Sequence, residues 1–450
     1  MLRVAVVGSG PSGVYTAQVL TEHRDSGCPV TVDVLDRLPC PYGLVRYGVA
    51  PDHERIKSLQ GTLRTVLERP GVRFLGNVHV GPQGVGTDAL RRIYHAVVYC
   101  VGAAADRRLG IPGEDLAGSR SATEFVSWYS AHPDAPAGFP LTARSAVVIG
   151  AGNVALDVAR ILARDPAELT GTDMPRERLE ALAAGRIRDI HLVARRGPAQ
   201  ARFSTKELRE LGALPHASVR TDPGDLDAGP AAARADALPA AARRNLAVLR
   251  GWAAAGPGEA ARRIRLRFFL RPVALLDDGR GAVRAVRFER TTPDGTGGVS
   301  GTGVHEEVAA QLVLRSVGYR GRALPGLPFD ASTGTVPHAG GRVLREGFPS
   351  PGEYVAGWIK RGPTGVIGSN RPCAKETATA LLADAAALAR RAVAAGGPAG
   401  ALRAAGADPV GWEGWRAIQA AEAETGRLLS RGPVKIPDWT GLLAAARSGG

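Results

Sequence analysis

Two stretches of this 450-residue chain combine glycine spacing with charge in a way that could bind a dinucleotide. The first glycine turn (residues 8–13) has the pattern G-x-G-x-x-G, in which the three glycines are Gly8, Gly10 and Gly13. The first glycine permits a tight turn, the second lets the backbone approach a pyrophosphate, and the third lets a helix pack closely on a strand. The helix N-terminus then offers free N–H groups to the phosphates.

The context makes this turn more specific than its glycines, because glycine is common here at 58 residues. An apolar strand is predicted over residues 4–7, a helix over 14–22 and a second strand over 30–35, which ends at Asp36. A carboxylate at that position can accept hydrogen bonds from a ribose hydroxyl. The first turn therefore predicts a site for a dinucleotide with an unphosphorylated adenosine ribose, either FAD or NAD.

The second glycine turn (residues 150–155) has the pattern G-x-G-x-x-A, with Ala155 in place of the third glycine. It follows an apolar strand over 145–149 and precedes a helix over 156–164. The next strand, over 187–194, ends at Arg195 and Arg196 instead of an acid.

Two guanidinium groups suit a dianionic 2′-phosphate, which a carboxylate would repel. The second turn therefore predicts an NADP(H) site. The alternative is a solvated surface in an arginine-rich chain. The spacing from the glycines to the arginines is also long, and we expect the polar insertion at 165–186 to loop out.

The two β-α-β patterns predict an α/β fold with two dinucleotide-binding domains. An apolar strand over 96–101 closes at Gly102, and a similar stretch over 309–317 closes at Gly318. These two strands resemble the crossings into and out of an inserted domain. Further helices are predicted at about 240–255, 376–394 and 412–428.

Composition narrows the choice of partners. The net charge is +14, and arginine supplies most of the excess positive charge. The excess reflects either codon bias or a surface that steers an acidic partner. Aromatic residues are 5 % and no basic stretch alternates with them, so we predict no nucleic-acid binding. No apolar run could span a bilayer, and the chain enters an apolar strand directly after Met1, so we expect a cytoplasmic protein.

The four cysteines, Cys28, Cys40, Cys100 and Cys373, form no C-x-x-C pair. Their spacing also fits no zinc or iron–sulfur site, so we predict free, buried thiols and no bound metal. A flavoenzyme that reduces disulfides needs a dithiol beside its flavin. Electrons leaving a flavin in this chain must therefore go to a separate acceptor.

Two longer stretches resemble the signatures of adrenodoxin reductase-type ferredoxin–NADP⁺ reductases, and most of all the actinobacterial members. Residues 38–53 read LPCPYGLVRYGVAPDH, and residues 357–368 read GWIKRGPTGVIG. The resemblance extends from residue 4 to about residue 379 and thins after residue 395.

The resemblance implies a fold related to glutathione reductase, with one Rossmann-like domain inserted in the other. FAD would occupy a discontinuous domain made of residues 1–103 and 321–450, and NADP would occupy residues 104–320. The implied FAD contacts are Gly8, Gly10, Pro11, Ser12, Gly13, Asp36, Leu44, Val80, Trp358, Gly365, Val366 and Ile367. The implied NADP contacts are Gly152, Asn153, Val154, Ala155, Arg195, Arg196, Glu207 and Gly365.

The resemblance also implies a pair of titratable residues near the two reacting rings. His53 follows Pro51 and Asp52 at a predicted helix start, and by position Glu210 would be its acidic partner. A lone histidine is more often structural than catalytic. The pair would tune hydride transfer or the approach of the domains.

The function implied is transfer of hydride from NADPH to FAD and then of single electrons to a ferredoxin-type iron–sulfur protein. An acidic ferredoxin would suit the positive chain. The alternatives are a flavin-dependent monooxygenase, the reductase portion of a larger complex, and a non-catalytic dinucleotide sensor. The sequence leaves the oligomeric state open.

Overall fold

The computed structural model describes residues 1–22, 29–227, 238–255 and 260–448. The chain divides into two compact units: unit 1 is Met1–Ala105 with Gly318–Gly450, and unit 2 is Asp106–Val317. The boundaries expected from the sequence, 103/104 and 320/321, lie slightly outside these crossings. Residues 318–320 group with unit 1 because Tyr319 stacks on Trp358, with ring centroids 5.6 Å apart.

The first segment of unit 1 contains the first β-α-β pattern. Its strands are β1 (Leu2–Val7), β2 (Val30–Leu35), β3 (Val72–Leu75), β4 (Ala96–Tyr99) and β5 (Ala105–Asp106), the last ending at the crossing. Its helices are α1 (Pro11–Glu22), α2 (Leu44–Tyr47), α3 (Glu54–Lys57), α4 (Leu59–Leu67) and α5 (Thr87–Ile93).

Unit 2 contains the second β-α-β pattern and an antiparallel sheet. Its strands are β6 (Ser119–Ser121), β7 (Ser145–Ile149), β8 (Asp189–Val193), β9 (Ala217–Thr221), β10 (Arg262–Arg267), β11 (Leu270–Asp277), β12 (Val283–Pro293), β13 (Val299–Ala309) and β14 (Leu312–Arg315). Its helices are α6 (Ala122–Tyr129), α7 (Asn153–Ala163), α8 (Arg176–Ala183), α9 (Thr205–Gly212), α10 (Pro223–Asp227) and α11 (Ala240–Ala254), with 3-10 turns at Pro166–Leu169 and Pro198–Gln200.

The chain then returns to unit 1. The strands of this segment are β15 (Tyr319–Arg320), β16 (His338–Ala339), β17 (Arg342–Arg345) and β18 (Phe348–Val355). The helices are α12 (Trp358–Arg361), α13 (Asn370–Ala383), α14 (Ala385–Leu388), α15 (Pro398–Ala404), α16 (Trp412–Leu428) and α17 (Trp439–Arg447), with a 3-10 turn at Ile367–Ser369.

Unit 1 is built on a seven-stranded sheet with the order β16-β17-β18-β4-β1-β2-β3. The strands from β18 to β3 are parallel, and β16 and β17 extend the edge antiparallel. The central strands are continuous apolar runs because both faces of the sheet are covered. One core includes β1, α1 and α13, and a second core lies on the opposite face of β1.

Unit 2 has a six-stranded parallel sheet with the order β6-β14-β7-β8-β10-β9 and a three-stranded antiparallel sheet, β11-β12-β13. The antiparallel sheet covers one end of the parallel sheet: Phe288 and Val286 share a core with Val147, Ile149 and Val193. The parallel arrangement puts the carboxyl ends of β7 and β8 at the same edge.

Several local predictions can be compared with these elements. The predicted helices at 412–428 and at about 240–255 are α16 and α11, whereas the one predicted at 376–394 begins earlier, at Asn370, and is interrupted at Asp384. The insertion residues 165–186, which must loop out of the β-α-β unit to account for the long spacing, are folded. They form a 3-10 turn and α8 because their apolar side chains are buried, namely Leu169, Met174, Leu179 and Leu182.

Of the four predicted free thiols, Cys40, Cys100 and Cys373 are free and buried, and Cys28 lies outside the described residues. None of the helices in the described residues combines the length and the apolar character needed to cross a bilayer.

Candidate functional site

The first glycine turn connects β1 to α1 and is confined by backbone on two sides. Gly8 has a φ of +111°, and a Cβ there would lie 2.5 Å from the carbonyl oxygen of Cys100. A Cβ on Gly13 would overlap with the carbonyl oxygen of Gly8. A Cβ on Gly10, in contrast, would meet only the Cα of Gly43, at 4.0 Å. The turn is therefore closed toward the sheet and open at the middle glycine, as a pyrophosphate requires.

Asp36, at the end of β2, grips this turn. Its Oδ2 accepts hydrogen bonds from the backbone N–H of Ser9, at 2.8 Å, and from the Ser9 hydroxyl, while Oδ1 accepts from the N–H of Leu38 at 3.0 Å. Burial raises the pKa of Asp36, and these hydrogen bonds oppose that shift. One lone pair of Oδ1 is left after these bonds, so the carboxylate can also accept a ribose hydroxyl.

The segment that carries α2 packs directly on the first glycine turn. The N–H of Tyr42 donates to the carbonyl of Ser9 at 3.1 Å, and a Cβ on Gly43 would lie 3.0 Å from the Cα of Gly10. Leu44 is 48 % exposed at the start of α2.

A second loop of unit 1, residues 362–369, is fixed by side chains at its two ends. Arg361 donates to the carbonyl of Thr364 and, at 3.1 Å, to Oδ1 of Asn370. Asn370 in turn donates to the carbonyl of Ile367 at 3.0 Å. Gly365 has a φ of +81°, and a Cβ there would lie 2.5 Å from the Ser369 hydroxyl. The loop then enters a 3-10 turn that leads into α13.

Two of the side chains in this part of the chain that are predicted to contact FAD are in positions that a ligand could complete. Val366 is 70 % exposed, and the indole N–H of Trp358 is buried with no hydrogen-bond acceptor among the described residues. Val80, by comparison, is buried beside its bridge partner Val85. An exposed apolar surface and an unused donor both fit the binding of a planar ring with polar edges.

The second glycine turn connects β7 to α7 and repeats this geometry in unit 2. Gly150 has a φ of +149°, and a Cβ there would overlap with the carbonyl oxygen of Ser316. A Cβ on Gly152 would meet nothing within 4 Å. Gly152 is also the N-cap residue of α7, which begins at Asn153, and a glycine supplies no side-chain acceptor for the first N–H groups. Amides at such a helix N-terminus can bind an anion.

The third position of this turn differs from that in unit 1. Ala155 is fully buried, so the helix–strand contact here accommodates a methyl group. The turn is also held by residues 202–204: Arg202 N–H donates to the carbonyl of Ala151 and Ser204 N–H to Oδ1 of Asn153, both at 2.8 Å.

Three arginines near the end of β8 concentrate positive charge beside this turn. Burial, together with the charges of Arg202 and Arg195, lowers the pKa of Arg196. In the part of the chain that the structure describes, none of the three forms an ion pair with a carboxylate. An unbalanced cluster of guanidinium groups fits a dianionic phosphate.

Glu207 and Glu210 lie on α9 and are held by a buried arginine of α7. Arg160, with only 1 % of its side chain exposed, lies 2.9 Å from Asp157, 3.4 Å from Glu207 and 3.9 Å from Glu210. Burial and the neighbouring Glu210 raise the pKa of Glu207, and Arg160 opposes that shift. Because the Glu207 carboxylate faces Arg160, α9 is pinned against α7.

The predicted catalytic pair is divided between the two units. His53 is buried in unit 1, where it is the N-cap residue of α3, and Glu210 is half-buried in unit 2. Lys206 lies 3.4 Å from Glu210, one helical turn before it. Their roles stay predictions.

The sequence reasoning missed Arg160 and Arg202. Arg160 interrupts the apolar residues of α7 on a buried face, which is a detectable signal for a buried ion pair. Arg202 follows a proline turn in an arginine-rich chain and gives no comparable signal. Its importance depends on the fold, which brings residues 202–204 back to the second glycine turn.

Comparison with known proteins identifies the family. A family model described as pyridine nucleotide-disulphide oxidoreductase matches residues 2–209. The NADPH-ferredoxin reductase FprA of Mycobacterium tuberculosis is 47 % identical over 386 residues, which cover 84 % of this chain and 83 % of FprA. The mitochondrial NADPH:adrenodoxin oxidoreductase of Arabidopsis thaliana is 40 % identical over 99 % of this chain and 95 % of its own length.

The chain belongs to the adrenodoxin reductase-type NADPH–ferredoxin reductases. The structure of Mycobacterium tuberculosis FprA in complex with NADPH matches it with a TM-score of 0.92 and 42 % identity over 99 % of each chain. The family assignment confirms the resemblance drawn from residues 38–53 and 357–368, and the fold class with two Rossmann-like domains. It also favours the reductase over the monooxygenase and the sensor.

The two glycines of the second turn give opposite expectations for this reductase. Gly150→Ala should lower the free energy of unfolding by about 1–3 kcal/mol, because it strains a positive φ beside a carbonyl. Gly152→Ala should leave thermal stability unchanged, because its φ of −116° suits alanine and its Cβ meets no protein atom. It should nevertheless raise the dissociation constant for NADPH about tenfold or more by blocking the backbone approach.

Thermal melting and equilibrium titration of the flavin-loaded protein separate the two effects. Wild-type affinity for NADPH in the Gly152→Ala protein would contradict the assignment of the pyrophosphate to this turn.

Proposed function

We propose that the enzyme uses unit 1 to bind FAD and unit 2 to bind NADPH, and that it reduces a ferredoxin-type iron–sulfur protein. The observation that carries the assignment is the opposite charge at the ends of β2 and β8. The carboxylate of Asp36 would repel a 2′-phosphate. The positive charges of Arg195, Arg196 and Arg202, in contrast, have no carboxylate counterion among the described residues.

The chain's own groups bind and orient the two nucleotides. In unit 1, Asp36 holds Ser9 in place, and the open side of Gly10 together with Pro11, Ser12 and the start of α1 receives the pyrophosphate. Leu44, Val80, Trp358 and residues 365–367 would contact FAD. In unit 2, the residues from Gly152 to Ala155 would receive the NADPH pyrophosphate.

When bound, NADPH supplies a hydride, and the flavin accepts it and releases the two electrons singly. The chain has no C-x-x-C pair, and the three cysteines among the described residues are free and buried, so we propose an acceptor outside the chain. The acceptor is a ferredoxin-type protein that binds from solution. The cytoplasmic location and the absence of nucleic-acid binding stay predictions from the sequence.

His53 and Glu210 form the proposed catalytic pair. Supporting observations are that His53 caps α3 at the end of the first signature and that Arg160 and Lys206 fix the Glu210 carboxylate. Glu207, also proposed to contact NADPH, occupies the preceding turn of α9. The pair would orient the nicotinamide relative to the flavin, since hydride transfer itself needs no proton from them.

The nucleotide assignment predicts a strong preference for NADPH over NADH in anaerobic flavin reduction. Replacing Arg195 and Arg196 together with serine should raise KM for NADPH about 30- to 100-fold and change KM for NADH little, because charge-assisted bonds to the 2′-phosphate are lost. Stopped-flow bleaching of the flavin absorbance measures both.

Arg280→Ser is the matched control, since it removes one exposed guanidinium from the β11–β12 turn of the same unit. Equal losses with NADPH and NADH in the serine variant would remove the basis for a 2′-phosphate site.

The catalytic pair predicts that His53→Gln slows flavin reduction several-fold at saturating NADPH, and that Glu210→Gln does the same. The double variant should be no slower than the slower single one, because both changes break one arrangement. Single-turnover stopped-flow reports the step directly. An unchanged rate in His53→Gln would refute the role of the pair.

The net charge of +14 predicts that the ferredoxin partner is acidic. Raising the ionic strength from about 0.05 M to 0.5 M should lower kcat/KM for ferredoxin reduction by about tenfold or more, since the Debye length shrinks below the spacing of the surface charges. A small neutral electron acceptor serves as the control. If ferredoxin reduction were independent of salt, electrostatic docking would not hold.

A further inference from the structure

Helix α11 comes from a stretch of the sequence that carries no motif, yet one polar residue on it is almost fully buried. Asn245 is 2 % exposed. Its Oδ1 accepts a hydrogen bond from the hydroxyl of Thr205 at 2.6 Å, and its Nδ2 donates to the carbonyl of Phe203 at 3.1 Å. One side-chain amide thus holds a short segment, residues 202–205, from both sides of Ser204.

The same segment is hydrogen-bonded to the second glycine turn through the backbone N–H groups of Arg202 and Ser204. The N–H of Arg202 donates to the carbonyl of Ala151, and the N–H of Ser204 donates to Oδ1 of Asn153. The segment therefore connects α11 to the turn through hydrogen bonds alone. It also carries Arg202, which belongs to the cluster with Arg195 and Arg196.

The packing of α11 supports this connection. The helix contacts β9, α9 and the 3-10 turn Pro198–Gln200, so it lies against the elements before and after the segment. Trp252 packs on Gly212 at the end of α9, where a Cβ would lie 2.6 Å from the indole ring. The helix is therefore held against the segment at Asn245 and against the end of α9 at Trp252.

We propose that Asn245 is a positioning residue for NADPH: it fixes residues 202–205 so that Arg202 faces the 2′-phosphate and Ser204 orients Asn153 at the pyrophosphate turn. The inference rests on the proposed NADPH site of unit 2. Asparagine is required because the site needs one donor and one acceptor on the same short side chain. Aspartate would place a second oxygen against the Phe203 carbonyl, and leucine would satisfy neither partner.

Variants of the flavin-loaded full chain test this role. Asn245→Leu loses both buried hydrogen bonds, so the segment should move and the dissociation constant for NADP⁺ should rise about tenfold. Asn245→Asp keeps the bond from Thr205 but places an oxygen against the Phe203 carbonyl, and it should raise the same constant by a similar factor. KM for NADPH should rise likewise, while kcat at saturating NADPH and the bound FAD per chain stay unchanged. The effect on NADH should be smaller than that on NADPH, since NADH shares the pyrophosphate near Asn153 but lacks the phosphate that Arg202 faces.

Two further proteins keep the test sharp. Thr205→Val removes the hydroxyl that donates to Asn245, and combined with Asn245→Leu it should add little to the single change, because leucine has already removed that contact. Gln311→Leu is the control, because Gln311 also accepts two backbone N–H bonds, at 3.2 Å from Arg144 and Ser145, but does so at the opposite end of β7 from the glycine turn. Its NADP⁺ affinity should equal that of the wild type.

The outcomes separate the inference from the function on which it rests. If the wild type binds NADP⁺ and all Asn245 variants bind it equally well, or lose stability with unchanged KM, Asn245 is structural and the inference is wrong. If the wild type itself binds no NADP⁺, the proposed function fails first. Should Asn245→Leu fail to fold, Asn245→Asp and Thr205→Val still decide.

Discussion

In each unit, the first residue of the glycine turn faces a backbone carbonyl at the end of the adjacent parallel strand. Val7 pairs with Tyr99, so Gly8 meets the carbonyl of Cys100, and in unit 2 Gly150 meets the carbonyl of Ser316 in the same way. A residue with a Cβ fits neither place, and the positive φ turns the chain sharply into α1 or α7. Both helices therefore begin at the carboxyl edge of their sheet, where the residues that follow the next strand also arrive. The strands that supply the carbonyls, β4 and β14, are those from which the chain leaves each unit.

This regularity explains which parts of the molecule could be predicted from the sequence. The turns, the flanking strands and the charges at Asp36 and Arg195 are local patterns, and α16 was predicted with its observed limits. The antiparallel sheet and the folded insertion at 165–186 were not, because their apolar residues are spaced irregularly among polar ones. Arg202 and Asn245 act on residues about 40 or more positions away in the chain, so no local pattern reveals them, whereas Arg160 gives a local signal only by its place among the apolar residues of α7.

The C-terminal helices show how a region without a motif can belong to a site. Arg46, in the first signature, is buried and lies 2.5 Å from Glu422 of α16, while Lys435 donates to the carbonyl of Arg46 at 2.7 Å. The ring of Trp415 lies under the Arg46 guanidinium, 5.0 Å from its centroid. Removing one partner of a buried pair leaves an uncompensated charge, so these contacts strongly favour one position of α2. Residues 42 and 43, which precede α2, pack on the first glycine turn. By holding α2, the C-terminal region therefore also helps to hold the proposed FAD site.

Several arginines of this arginine-rich chain bind carboxylates, and the arginines at the end of β8 can be compared with them. Arg73, Arg345 and Arg342 each form two hydrogen bonds with one carboxylate, on Asp33, Glu353 and Asp384 respectively. Such pairing is what an excess of arginine produces when it only decorates a surface or links elements. The cluster at the end of β8 is different: burial and the charges of Arg202 and Arg195 lower the pKa of Arg196, and none of the three arginines pairs with a carboxylate among the described residues. Holding like charges together costs free energy in the absence of an anion, and a bound phosphate would return it.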